Sequence, residues 1–274
     1  MITFHAHART HQGPVRGHNE DFVLLGRTIK NGDTVDAEFS EDDAEIRRVG
    51  FLAAVADGMG GHAAGETAAR IALHTIDGEF HGSEKKGGLE SIRRALEAAV
   101  GRANREILED AAGSPALQGM GATVAGVALS GREYFVFHAG DSRVYRFRGG
   151  ALRQLTQDDS LVALAVRAGQ MTPEEALSSG MRHVITNGLG TEQFNLHVSE
   201  PASMKPGDAL LICSDGLHDE TALEKMEELL AGPGTLHERG ALLMEAAMDS
   251  GGTDNISIVL VEAGPDGAET PAHG

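Results

Sequence analysis

The sequence predicts an α+β fold in which mostly antiparallel sheets carry helices on their outer sides. Strand-like runs come first, two amphipathic helices follow, and a meander of strands leads to two more helices and a last strand. This order lacks the regular strand–helix alternation of a parallel α/β protein. The chain also has 36 glycines, which indicates many tight turns, as a strand-rich fold requires.

Each predicted element rests on its own pattern of apolar residues. Continuous or alternating apolar runs predict strands at 2–12, 22–25, 51–56, 122–130, 134–139, 143–148, 194–200, 209–214 and 256–262. Apolar residues at helical spacing predict helices near 68–76, 89–108, 220–230 and 236–249. The polar segment 26–50 is interpreted as a long solvated hairpin connection with an acidic tip.

The chain is expected to form one domain over residues 1–263. The tail 264–274 has no core-forming residues, which predicts disorder. No apolar run approaches the ~18 residues of a membrane span, and the start does not resemble a signal peptide. Cys213 is the single cysteine and gives no sign of an oxidising compartment, so the expected location is the cytoplasm.

The formal charge of −18 argues against nucleic acid or an anionic membrane as a main partner. A phosphate ester would also be repelled unless something reversed the field locally. Bound divalent cations do this at a single site, so the charge already favours a metal-dependent reaction for any phosphorylated substrate.

Five aspartates stand at the ends of predicted strands. Asp57, Asp141 and Asp215 follow apolar strands, while Asp21 and Asp254 precede them. Any one of these is explained by the ordinary use of aspartate in turns, but five together are not. Carboxylates gathered at one rim of a sheet would need cations between them, and an all-oxygen donor set selects hard ions such as Mg²⁺ or Mn²⁺.

Six motifs along the chain carry a resemblance to a known family. They are VRGHNED (15–21), DGMGGHAAGE (57–66), GMGAT (119–123), GDSR (140–143), SDGL (214–217) and GTDN (252–255). In this order they resemble the metal-dependent (PPM-type, type 2C) serine/threonine protein phosphatases in their bacterial form, over residues 9–262. The resemblance implies a four-layer αββα sandwich with two mostly antiparallel sheets, helix pairs outside and a flap at about 155–190. It also implies hydrolysis of phosphoserine and phosphothreonine on proteins.

The resemblance further implies a ring of ligands for two or three Mn²⁺ or Mg²⁺ ions. Asp57 would bridge two ions with the Gly58 carbonyl beside it, and Asp141 would bind a weaker third ion. The full set of implied metal residues is Glu20, Asp21, Asp57, Gly58, Asp141, Asp215 and Asp254. A water held between the ions would attack phosphorus in line, without a covalent enzyme intermediate.

Two further residues receive roles from the resemblance. Arg16 would grip the substrate phosphate, since a planar guanidinium suits that task better than an ammonium. His62 would donate a proton to the leaving serine or threonine oxygen, although a loop-holding role for this histidine stays open. The flap departs from the family pattern, with Asp159 in place of a histidine and His183 in place of an asparagine.

An active phosphatase is the function that the sequence favours. The alternatives are a phosphatase-like module that binds phosphoproteins or partners without turnover, and a structural protein whose aspartates serve only in turns. Loss of a ligand aspartate would favour the binding module, but all five are present. The expected partners are phosphorylated proteins, and bacterial relatives often reverse a serine/threonine kinase.

Overall fold

The structure is a computed structural model that describes residues 1–83 and 88–265, except for the side chain of His62. The strands are β1 (Thr3–His11), β2 (Phe22–Leu25), β3 (Thr28–Lys30), β4 (Thr34–Ser40), β5 (Phe51–Ala56), β6 (Gly58–Met59), β7 (Gly121–Ala122), β8 (Val124–Ser130), β9 (Glu133–Ala139), β10 (Arg143–Arg148), β11 (Ala151–Gln154), β12 (His197–Val198), β13 (Ala202–Ser203), β14 (Ala209–Cys213) and β15 (Ile256–Ala263).

The helices begin after the first four strands. They are α1 (Ala44–Val49), α2 (His62–Gly82), α3 (Leu89–Gly113), α4 (Leu161–Arg167), α5 (Pro173–Leu177), α6 (Asp215–His218), α7 (Leu223–Ala231) and α8 (Leu236–Asp249), with a short 3-10 turn at Pro115–Leu117. Within the described ranges no helix combines the length and apolarity that crossing a bilayer requires.

Two large sheets form the centre of the molecule. The first has the order β11-β10-β14-β15-β1-β4, and the second has the order β12-β9-β8-β5-β2-β3 with β13 also on β9. Strands β6 and β7 form a separate small ribbon. The pairings in both sheets are antiparallel, as the sequence predicts.

Three apolar cores separate four layers. The middle core joins the facing sides of the two sheets, for example Phe4 and Val259 from the first sheet with Val55 and Val127 from the second. Helices α2 and α3 cover the outer side of the second sheet. Helices α6, α7 and α8 cover the outer side of the first sheet. The predicted αββα sandwich is therefore confirmed.

The prediction for residues 26–50 is wrong. This segment is not a solvated connection: it contains β3, β4 and α1, and β4 pairs with β1 along seven residues from Thr34 to Ser40. Strand β4 escaped notice because it is an edge strand whose outward residues, such as Asp36 and Glu38, are charged and exposed.

Smaller differences concern short elements. The predicted strand 194–200 is reduced to His197–Val198, and β11 and β13 were not predicted. The predicted helix 220–230 begins at Leu223, after the separate short helix α6. Most of the tail, residues 266–274, lies outside the described residues, so its predicted disorder stays a prediction, as does the single domain over 1–263.

Candidate metal centre

The strand ends bring the five predicted aspartates to one place between the two sheets. Asp57 follows β5 and Asp141 follows β9 in the second sheet, whereas Asp215 follows β14 in the first sheet. Asp57, Asp141, Asp215 and Asp254 open onto a cleft of about 440 Å³. The predicted residues that line it are Arg16, Glu20, Asp57, Gly58, Asp141, Asp215 and Asp254.

Asp21 lies behind this lining. Its side chain is 1% exposed, and the Ser214 hydroxyl donates a hydrogen bond of 2.7 Å to its Oδ2 atom. The Oδ1 atoms of Asp21 and Asp215 are both buried and have no hydrogen-bond partner among the described residues. Buried carboxylate oxygens without a donor are costly, and a cation between them would remove that cost.

The raised pKa values of the carboxyl groups in the cleft also indicate that a cation fits there. Burial, followed by repulsion from the neighbouring carboxylates, raises the pKa of Asp57 well above its usual value. Burial raises the pKa of Asp21 to about 7, and it also raises the pKa values of Asp141 and Asp254. Hard divalent ions, which prefer oxygen ligands, would hold these groups in their ionised form.

Two glycines let the first turn of α2 approach the cleft closely. A Cβ atom on Gly58 would collide with the Gly65 carbonyl oxygen, and a Cβ atom on Gly65 would collide with the Glu20 carboxylate. The glycine-rich segment 58–65 therefore serves close packing between β6, α2 and the loop that carries Glu20.

Asn255 connects the loop that carries Glu20 to the loop that carries Asp254. Its side-chain oxygen accepts a hydrogen bond of 2.8 Å from the Glu20 backbone N–H, and its Nδ2 donates to the carbonyls of Gln12 at 2.8 Å and His18 at 2.9 Å. This side chain fixes Glu20 and Asp254 relative to each other, so Asn255 has a positioning role beside a candidate ligand.

Arg16 stands at the mouth of the cleft. Its Nη2 atom lies 2.6 Å from Asp254 Oδ2, and 51% of the side chain is exposed. Its Nε atom donates a hydrogen bond of 3.3 Å to the Thr253 carbonyl. The guanidinium is thus held at its inner side and half in solvent at its outer side, where it can meet an anionic group entering from outside.

His62 forms the first residue of α2, and its side chain lies outside the described residues, so both roles considered for it stay predictions. A second histidine, His183 of the flap, lines the cleft. Its Nδ1 atom lies 3.8 Å from Asp215 Oδ2, and attraction to this carboxylate raises the pKa of His183.

Asp159, the other flap residue that differs from the family pattern, has a structural role. Its Oδ2 atom accepts hydrogen bonds from the Gly140 N–H at 3.2 Å and from Asn187 Nδ2 at 2.7 Å. Its Oδ1 atom lies 3.2 Å from His197 Nε2. The carboxylate therefore ties both ends of the flap to the turn that carries Asp141.

Sequence reasoning missed two supports of the cleft. Ser214 holds Asp21, and His218 places its Nε2 atom 3.1 Å from the carbonyl oxygen of Asp141. Ser214 comes directly before Asp215, and His218 ends the short helix α6 that begins at Asp215. That position was the available signal, because residues in the same tight turn as a ligand commonly orient its neighbours.

Comparisons with known proteins agree on one group. A family model described as protein phosphatase 2C matches residues 33–242. The chain is 32% identical over 258 residues to the serine/threonine phosphatase stp of Listeria innocua, covering 94% of this chain and 95% of that protein.

Solved structures give the same result. The serine/threonine phosphatase of S. agalactiae superposes with a TM-score of 0.82 at 30% identity, covering 94% of this chain and 99% of that one. The catalytic domain of the serine/threonine protein phosphatase PstP in complex with two manganese ions superposes with a TM-score of 0.77 at 31% identity, covering 96% of this chain and 100% of that one.

Proposed function

Because this chain belongs to the protein phosphatase 2C family of metal-dependent serine/threonine protein phosphatases, we propose that its carboxylate cleft hydrolyses phosphoserine and phosphothreonine esters on proteins. The observation that carries this proposal is the convergence of Asp57, Asp141, Asp215 and Asp254 on one cleft, with Asp21 buried behind them. Without cations such a group of carboxylates would repel any phosphate ester.

The cleft fits Mn²⁺ or Mg²⁺, and the solved PstP domain holds two manganese ions. We propose that Asp57 and the Gly58 carbonyl would hold these ions, with Asp215 and Asp254 as further ligands of one of them. Glu20 and Asp21 would support the other ion, and Asp141 a third. When bound, such ions supply an activated water and neutralise charge on the phosphoryl oxygens.

The protein's own groups position the substrate. Arg16 lies at the mouth with Nε on the Thr253 carbonyl and Nη2 on Asp254, so the outward N–H donors of Nη1 and Nη2 can bind phosphoryl oxygens as a planar fork. The carboxylates lie inside the cleft, and Arg16 is exposed at its mouth. The phosphate would therefore enter past Arg16. The leaving serine or threonine oxygen needs a proton, for which His62 stays the candidate from the sequence.

The proposed setting is the cytoplasm, where the enzyme would reverse the action of a serine/threonine kinase on its targets. The similarity to bacterial phosphatases such as stp supports this proposal, as does the net charge of −18, which disfavours nucleic acid and anionic membranes as partners.

Phosphate release from a phosphothreonine peptide tests the proposal. The unaltered protein should release phosphate with Mn²⁺ or Mg²⁺ and should release none with a chelator. Asp57→Asn, which removes one charge from the centre of the cleft while keeping its shape, should lower turnover by at least ~100-fold. Metal binding without any turnover would instead favour a phosphatase-like binding module.

A further inference from the structure

A second cluster of metal-binding side chains lies outside the phosphatase cleft, on the outer side of the first sheet. Strands β1 and β4 pair there with His7 opposite Asp36 and His5 opposite Glu38. Alternate residues of β1, such as Phe4 and Ala6, face the middle core, so these histidines point the other way, toward α8. The first turn of α8 adds His237 to the same place.

The three nearest side chains have the geometry of metal ligands. His7 Nδ1 lies 2.8 Å from Asp36 Oδ1, and His237 Nδ1 lies 3.6 Å from Asp36 Oδ2. One ligand atom from each residue lies within 4.8 Å of the other two. Ligand atoms around a tetrahedral Zn²⁺ stand about 3.4 Å apart, given bond lengths near 2.0–2.2 Å, so small side-chain rotations suffice.

His7 directs one nitrogen into this cluster. Its side chain is 0% exposed, and its Nε2 atom is buried without a hydrogen-bond partner in the described part of the chain. The other edge of the ring packs on α8, where a Cβ atom on Gly240 would meet His7 Cδ2 at 2.6 Å. Among the described residues, Nδ1 is therefore the ring nitrogen of His7 that has polar neighbours, and these are Asp36 and His237.

Burial also favours the form of His7 that binds metals. Desolvation lowers the pKa of His7 and outweighs the attraction of Asp36, so the ring is neutral at physiological pH. A neutral imidazole offers a lone pair to a cation, whereas a charged one does not. In the metal-free protein the 2.8 Å contact with Asp36 Oδ1 keeps the ring proton on Nδ1, so a cation bound at Nδ1 requires that proton to move to Nε2.

The cluster is open to solvent on one side. Asp36 and His237 are 60% and 50% exposed, and both line a cleft of about 540 Å³ together with His5 and Glu38. An ion can enter there, and water or Glu38 can complete its coordination. Two imidazoles and a carboxylate suit Zn²⁺ or a similar transition metal rather than Mg²⁺, in contrast to the all-oxygen phosphatase cleft.

We propose that His7, Asp36 and His237 form a second metal site of Zn²⁺ type, which joins the edge strand β4 and strand β1 to helix α8. Its three ligands come from segments far apart in sequence, so a bound ion cross-links the first sheet to its covering helix. The site shares no residue with the phosphatase cleft, and it stands whether or not the chain has phosphatase activity.

The test is equilibrium dialysis of the metal-free full chain against Zn²⁺, with excess Mg²⁺ present to fill the oxygen-lined cleft. His237→Ala and Asp36→Asn are the informative variants because both residues are exposed and their loss spares the core. The control is His74→Ala, which removes an exposed histidine from α2, away from the cluster. The unaltered chain and the control should each bind one more Zn²⁺ than either variant.

Two further readouts separate a metal site from a simple hydrogen-bonded pair. Co²⁺ in place of Zn²⁺ should give tetrahedral absorption bands that His237→Ala loses, and Mn²⁺-dependent phosphatase turnover should be the same in His237→Ala as in the unaltered chain. Equal Zn²⁺ stoichiometry and affinity in the unaltered chain, His237→Ala and Asp36→Asn would overturn the proposal and leave a His7–Asp36 hydrogen bond only.

Discussion

At the scale of single residues, the candidate centre is defined by carboxylates that destabilise the protein when no cation is bound. Burial and mutual repulsion raise the pKa of Asp21 to about 7 and raise the pKa of Asp57 well above its usual value, because both effects disfavour the charged forms. In the unfolded chain the side chains of Asp21 and Asp57 would both ionise near the ordinary, acidic pKa of a carboxyl group. At pH values between this ordinary pKa and the raised pKa of the folded state, the folded, metal-free protein therefore binds more protons than the unfolded chain.

This difference predicts a pH dependence of unfolding in a chelator. Because the folded state holds the extra protons, the free energy of unfolding should fall as pH rises from about 5, above the ordinary carboxyl pKa, to about 7, the raised pKa of Asp21. Urea unfolding at a series of pH values measures it. Asp21→Asn should flatten the slope, since the amide cannot ionise, and saturating Mn²⁺ should also flatten it. A free energy of unfolding that rises over this pH range in the unaltered, metal-free protein would contradict the raised pKa values of Asp21 and Asp57.

Arg16 gives a second prediction at this scale. Arg16→Lys keeps the positive charge but loses the planar fork, so KM for a phosphothreonine peptide should rise about tenfold while kcat changes less. Steady-state kinetics at saturating Mn²⁺ measures both constants. A matched control is Arg94→Lys, an arginine of α3 that is 71% exposed. An unchanged KM in Arg16→Lys would remove this residue from the substrate site.

At the scale of elements, packing between α2 and the cleft decides where glycine is required. Gly65 and Gly78 lie in the same helix, but their surroundings differ. A Cβ atom on Gly65 would collide with the Glu20 carboxylate, whereas one on Gly78 would meet nothing within 4 Å. The same substitution should therefore have opposite effects at the two positions.

Gly65→Ala should destabilise the protein by about 1–3 kcal/mol through overpacking and should weaken Mn²⁺ binding by displacing Glu20. Gly78→Ala should stabilise it by about 0.5–1 kcal/mol, because alanine is the better helix former. Thermal unfolding and a Mn²⁺ titration of both variants check this pair. Equal shifts in melting temperature would show that Gly65 is not a close-packing position.

The success of sequence reasoning also varies by element. Buried strands such as β5 and β2, and the amphipathic helix α8, were predicted with their observed bounds because burial imposes a continuous or periodic apolar pattern. Strand β4 and the short strands β11 and β13 carry charged or mixed residues at sheet edges. Strands β4 and β13 pair with partners distant in the sequence, which no local pattern reports. Strand β11 pairs with the adjacent strand β10, but its four residues are too few to show a clear alternation.

At the scale of the whole molecule, the αββα arrangement explains why residues 21 and 254, at opposite ends of the chain, meet. Strand β15 pairs with β1 in the first sheet, while Asp21 leads into β2 of the second, so the two sheet ends converge on one cleft. The ordered motifs predicted this gathering of carboxylates. They could not predict that Asp21 is buried behind the others, that Asp159 anchors the flap, or that His7 meets His237, because these contacts depend on three-dimensional packing.

Metal-dependent hydrolysis at this site requires that the carboxylate cleft itself binds the metal that supports turnover. A Mn²⁺ titration that records bound metal and phosphothreonine-peptide hydrolysis on the same samples tests this, with Asp57→Asn beside the unaltered protein. Bound Mn²⁺ and activity should rise together in the unaltered protein, and both should be lost in Asp57→Asn while its fold is retained. Full activity in a chelator, or an Asp57→Asn protein as active as the unaltered one, would contradict it.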